Sequence, residues 1–112
     1  MTIKNVVYCK VEDALAIING KWKPSVLLIL ISKGPQRYGE LKRQLPEITP
    51  KMLSSTLKEL EEEGLIHREE YPEVPPKVIY SMTEYGMSVE PVLNQLHDWG
   101  VNHLQRKHTL SE

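Results

Sequence analysis

Residues 49–83, TPKMLSSTLKELEEEGLIHREEYPEVPPKVIYSMT, constrain this chain more than any other stretch. They read as a helix over 50–63 followed directly by a two-stranded ribbon over 65–82. Thr49 suits an N-cap, and Pro50 suits the first turn, where a missing N–H is no loss. Leu53, Leu57 and Leu60 recur at helical spacing and predict a core-facing side. Lys51, Ser54, Ser55 and Lys58 fall on the opposite side, and Gly64 marks the helix end. Lysines and small hydroxyls above an apolar face are what a helix needs to enter a DNA major groove. An ordinary amphipathic helix with a solvated face carries the same pattern. The ribbon weighs against that plainer reading. Val78, Tyr80 and Met82 alternate with Lys77, Ile79 and Ser81 at strand period. Pro72, Pro75 and Pro76 are expected to forbid a regular ladder between the strands and to stiffen the tip.

The remaining segments give a coarse map. Val11, Leu15 and Ile18 mark a first short helix, ended near Asn19 and Gly20. Pro24 opens a second helix through about Ser32, apolar nearly all round and therefore expected to be buried. Gly34 and Pro35 stop it. Gln36 to Tyr38 read as extended, and a third helix over 39–45 ends at Pro46. Thr83 is expected to cap a long last helix reaching Lys107, with Pro91 bending it or splitting off its first turns. The tail from His108 reads as frayed. Helix, helix, then hairpin is the order of a winged helix-turn-helix. The expected fold is thus α+β, mainly α: one domain over 1–112, a winged helix-turn-helix with an added long C-terminal dimerisation helix.

The last helix carries its own signal. Val89, Val92, Leu96, Trp99 and His103 step by threes and fours, and Leu93, Gly100 and Leu104 widen the stripe. A small domain with its core in the preceding helices has little need of such a stripe, which predicts a partner helix. Packing on its own domain accounts for part of the same pattern. Dimer contacts are expected from segments 10–19 and 84–107, through Leu15, Ile18, Val92, Leu96 and Trp99. DNA half-sites lie about one helical turn apart, which suits a two-fold dimer.

Charge and composition fit that reading. The net charge is −1, but the signs are segregated. Residues 33–58 hold six cations and two anions; residues 59–70 hold six anions and one cation. The expected DNA face is therefore basic despite the acidic sum. One cysteine excludes an intramolecular disulfide framework and fits a reducing compartment. No apolar run approaches the ~20 residues needed to span a bilayer, and the start, MTIKNVVYCKVED, lacks the apolar segment of a signal peptide. A cytoplasmic location is expected, with no membrane partner. His67, His97, His103 and His108 lack metal-ligand spacing, so no metal and no cofactor is expected. His97 and His103 lie on or near the stripe and are in place to tune it with pH, although surface placement is the plainer reading. No phosphate loop or nucleophile motif occurs, which argues against an enzyme.

The chain resembles the HxlR-type transcriptional regulators, a bacterial winged-helix family. The resemblance is carried by Cys9, by Ile18 with Gly20-Lys21-Trp22, by Arg37-Tyr38-Gly39-Glu40-Leu41, and by Ile48-Thr49-Pro50-Lys51-Met52-Leu53. It continues through Leu57-Lys58-Glu59-Leu60-Glu61, Gly64-Leu65-Ile66, Pro75-Pro76-Lys77-Val78, Gly86, Pro91 and Trp99-Gly100. Lys10, Asn19 and Tyr38 depart from the family's more usual residues. The resemblance implies a homodimer that binds a double-stranded DNA operator and represses or activates nearby genes. It implies contacts from Thr49, Lys51, Met52, Ser54, Ser55 and Lys58, with Arg37 before the third helix and Lys77 at the wing. Lysines and arginine would neutralise phosphates; the hydroxyls would reach phosphates or base edges. Met52 would touch a thymine methyl or pack inward. The operator and effector are not legible.

Some members of that family sense oxidants or electrophiles through a cysteine at the position of Cys9. Placement before a helix N-terminus and beside Lys10 favours a reactive thiolate, while Glu12 and Asp13 oppose it. A small buried hydrophobe is the plainer role for a lone cysteine. The function expected is a sequence-specific DNA-binding regulator, thiol-responsive if Cys9 senses. The alternative is a winged-helix protein-interaction module without operator binding.

Overall fold

A computed structural model describes residues 10–111. Cys9 lies outside the described residues. Five helices, a 3-10 turn and three short strands follow in the order α1 (Val11–Ile18), α2 (Lys23–Lys33), β1 (Gln36–Arg37), α3 (Tyr38–Gln44), α4 (Pro50–Glu62), β2 (Ile66–Tyr71), β3 (Lys77–Met82), the 3-10 turn (Gly86–Val89) and α5 (Glu90–Ser111). The antiparallel sheet has the order β1-β3-β2. Leu41 of α3, Leu53, Leu57 and Leu60 of α4, and Val26, Leu27 and Leu30 of α2 meet in one core closed by Ile66 at the base of the hairpin.

Helix α4 is fixed at both ends by its own sequence. Thr49 Oγ1 accepts a hydrogen bond from the Met52 backbone N–H at 3.1 Å, satisfying one of the orphan donors of the first turn. At the other end Gly64 adopts φ +76°. Gly64 N–H donates to the Glu61 carbonyl at 2.9 Å and Leu65 N–H to the Leu60 carbonyl at 3.0 Å, the paired bonds of a Schellman stop. The stop turns the chain straight into β2.

Five expectations need correction, the last of them at Thr83. The prolines do not break the ladder: β2 and β3 pair at six consecutive positions, from Ile66 opposite Met82 to Tyr71 opposite Lys77. Pro72, Pro75 and Pro76 all lie in the connection beyond the last pair, where they remove no ladder donor. Helix α2 is not buried all round, because Leu28 is exposed at the groove it shares with Leu15 of α1 and Leu96 of α5. Tyr38 opens α3 rather than extending β1, since the Arg37 N–H is already held by the Glu40 carboxylate at 2.8 Å. Helix α5 continues to Ser111, with Pro91 in its first turn, where proline is tolerated.

Thr83 caps the 3-10 turn rather than α5 itself. Its hydroxyl accepts from Gly86 N–H at 2.7 Å and donates to the Gly64 carbonyl at 2.6 Å. One side chain thereby ties the end of the wing to the stop of α4. Gly86 packs so closely there that a Cβ would run into the Leu65 carbonyl oxygen.

Candidate nucleic-acid interface

Helix α4 presents a clean division. Leu53, Thr56, Leu57 and Leu60 are buried, while Lys51, Ser54, Ser55 and Lys58 are exposed on the other side. Among the described residues neither Lys51 nor Lys58 enters an ion pair, so both ammonium groups remain available to an external anion. The two serines differ. Ser55 Oγ donates to the Met52 carbonyl at 3.1 Å, a bond back into its own helix. Ser54 makes no such bond among the described residues. Met52, left open between a groove contact and inward packing, does not enter the core; it is 45% exposed, on the flank of α4 beside Trp22.

Residues far apart in sequence complete the basic surface. Arg37, Tyr38 and Gly39 at the start of α3 share one cleft with Pro76, Lys77 and Val78 of the wing. Pairing of β1 with β3, with Arg37 opposite Ile79, makes this juxtaposition. Tyr38 links the cleft to α4, its hydroxyl donating to the Pro50 carbonyl at 3.1 Å. The sequence contains no periodic signal for this link. Beneath it, Gln36 is buried and Gln44 Nε2 donates to its Oε1 at 2.8 Å, satisfying a polar pair inside the domain.

Lys77 is not a free cation. Its Nζ lies 3.5 Å from Glu73 Oε2 and 4.8 Å from the centre of the Tyr71 ring. The neighbouring Glu69 carboxylate pushes the Tyr71 hydroxyl above its ordinary pKa. The rest of the wing is acidic: Arg68 pairs loosely with Glu70 at 3.8 Å. Within the wing, then, Lys77 is held by a carboxylate, whereas Lys51 and Lys58 on α4 are not.

The expected dimer residues fall into two groups. Ile18 is buried in the domain's own core, where it offers little to a partner. Leu15, Val92, Leu96 and Trp99 are exposed, Trp99 at 68%. Along α5 Leu93 alone enters the core; Leu104 and Leu110 are as open as Trp99. Trp99 and His103 stack with ring centres 5.1 Å apart, only 4° from parallel. No group of three or more described His, Asp or Glu side chains is placed to hold a metal. Among the described residues no single helix is long and apolar enough to cross a membrane.

A helix-turn-helix with its exposed basic face, a hairpin wing and a trailing helix define a winged helix-turn-helix transcriptional regulator. Residues 17–108 match the HxlR-like helix-turn-helix family, and the chain belongs to it. The protein MalR of Fusobacterium mortiferum is 54% identical over 97 residues, covering 87% of this chain and 92% of MalR. The uncharacterised HTH-type transcriptional regulator YdeP of Bacillus subtilis is 48% identical over 98 residues, covering 88% of this chain and 76% of YdeP. The redox regulator HypR in its reduced form superposes with a TM-score of 0.82 at 42% identity, over 88% of this chain and 97% of HypR. The oxidised form gives 0.77 at 46% identity, over 84% and 96%. These relatives are regulators of transcription or redox response rather than enzymes.

Proposed function

We propose that the protein acts in the cytoplasm as a homodimer that binds a double-stranded DNA operator with α4 in the major groove. The observation that carries this reading is the unpaired exposed face of Lys51, Ser54 and Lys58, continuous through Tyr38 with the Arg37–Lys77 cleft. Lys51, Lys58 and Arg37 set register on phosphates, and Ser54 reads a base edge. Thr49 holds the helix start, Met52 lines the groove edge, and Ser55 reads DNA only after releasing its bond to the Met52 carbonyl. A protein-docking face would be expected to carry an apolar or acidic surface at these positions. Dimerisation rests on the exposed stripe of α5 with Leu15 of α1, because a two-fold axis would set the same apolar patch of each copy against the other.

The likeness to HypR, a redox regulator solved in oxidised and reduced forms, supports a thiol response through Cys9. Cys9 is the chain's one cysteine. Oxidation would therefore join it to the partner's equivalent thiol or to a small thiol, two thiols giving up two electrons and two protons to the oxidant. Selection of bound duplexes from a random pool by the purified protein tests the DNA reading. A single enriched two-fold motif is expected. Failure to enrich any sequence, with a protein partner captured on the same face, would favour the interaction-module alternative.

A further inference from the structure

The Gly20-Lys21-Trp22 turn stands out in the sequence, yet it belongs to neither the helix-turn-helix nor the wing. In the fold it forms one wall of a crevice whose other wall is Met52, Thr56 and Glu59 of α4. Those three residues follow the i, i+4, i+7 pattern and so line one flank of the helix, beside its DNA-directed face. The Lys21 ammonium sits 5.1 Å from the centre of the Trp22 ring. The Lys21 side chain is exposed, and among the described residues no ion pair engages it. The carboxylate in this crevice, Glu59, is already paired with Lys23 at 3.5 Å. Trp22 thus holds a cation in place without neutralising it. The Arg37–Lys77 cleft reaches α4 at its first turn through Tyr38, so Lys21 is a second basic point along a different flank.

We propose that Lys21 is a further DNA-contacting residue, binding a backbone phosphate at the edge of the groove that α4 occupies, with Trp22 as its support. The assignment rests on the proposed DNA-binding function and adds a contact outside the helix-turn-helix and wing. A phosphate contact positions the protein without reading sequence. Lys21 therefore contributes equally on operator and non-operator duplexes.

The test uses the full-length protein and the operator recovered by selection. Lys21→Gln removes the charge and keeps a polar side chain beside Trp22; Lys21→Arg keeps the charge. Each phosphate that is no longer neutralised flattens the slope of log K against log salt by about 0.9, so Lys21→Gln should flatten it by ~1.8 for a dimer. Lys21→Arg should restore the wild-type slope. Neutral methylphosphonates substituted one at a time into the operator should weaken wild type at one position per half-site that Lys21→Gln ignores. An unaltered slope and methylphosphonate profile in Lys21→Gln, while Lys58→Ala flattens the slope, would overturn the Lys21 assignment alone. A wild-type protein with no salt-dependent binding would overturn the DNA reading and this assignment together. Matching thermal melts for the variants exclude misfolding as the cause.

Discussion

Ser54 and Ser55 are neighbours with the same side chain but different commitments. Ser55 spends its hydroxyl proton on the Met52 carbonyl, whereas Ser54 is exposed with no competing bond among the described residues. Ser54→Ala should therefore change preference among operator variants by ~1–3 kcal/mol, and Ser55→Ala by less. Competition binding across single-base operator variants measures both. Lys58→Ala and Arg37→Ala should instead weaken operator and random duplex alike, because a phosphate is the same on both. At Gly86 an added methyl meets the Leu65 carbonyl, so Gly86→Ala should destabilise the fold by about 1–3 kcal/mol, read from denaturant unfolding. Residue-level legibility was uneven for a physical reason. Helical periodicity exposes which side of α4 is apolar and which residue caps it. It carries no record of which of two serines bonds back to its own helix, nor of the part-buried Gln36–Gln44 pair or a glycine pressed against a carbonyl, the last two depending on chain segments brought together only by folding.

The wing and α5 are the elements whose behaviour departs most from their sequence pattern. The wing's prolines proved to be neighbours of the ladder rather than interruptions, since the strand pair ends at Tyr71 and Lys77 before any proline is needed to donate. At its tip Lys77 is held by Glu73, so reaching a phosphate means leaving that carboxylate. Glu73→Gln should release the lysine and raise DNA affinity modestly, most visibly at low salt where surface pairs are strongest. Fluorescence anisotropy of labelled operator at two salt concentrations checks this; weaker binding would mean that Glu73 orients Lys77 usefully. In α5 the stripe read from threes and fours is real, but the domain uses only Leu93 of it. Leu96→Asp should place a charge in the proposed helix contact and shift the protein to monomer, measured by light scattering. A mutant that stays dimeric would move the contact to the exposed face of α1.

At the scale of the whole molecule, the radius of gyration is 16.7 Å, against about 13 Å for a compact domain of this length. The excess belongs to a shape in which a 22-residue α5 runs past the core that anchors it. Leu96, Trp99, Leu104 and Leu110 lie exposed along α5, and that exposure is why a second copy is proposed. The same helices offer a route from thiol chemistry to DNA: α1 begins two residues after Cys9, and a shift of paired helices would alter the spacing of the two recognition helices. Diamide should therefore change operator affinity in wild type and leave Cys9→Ser unaffected. Segregated charge within a net −1 chain predicted a basic face; the fold puts Lys51 and Lys58 on the exposed side of α4 and Arg37 in one cleft with Lys77, yet no sequence signal joined Arg37 to Lys77 across the sheet. That combined surface is the central claim, and the salt dependence of operator binding tests it most directly. A dimer neutralising ~6–10 phosphates should give log K against log salt a slope of about −5 to −9. A slope near zero for the selected operator would contradict the account, because binding would then owe nothing to the lysines and arginine that define the site.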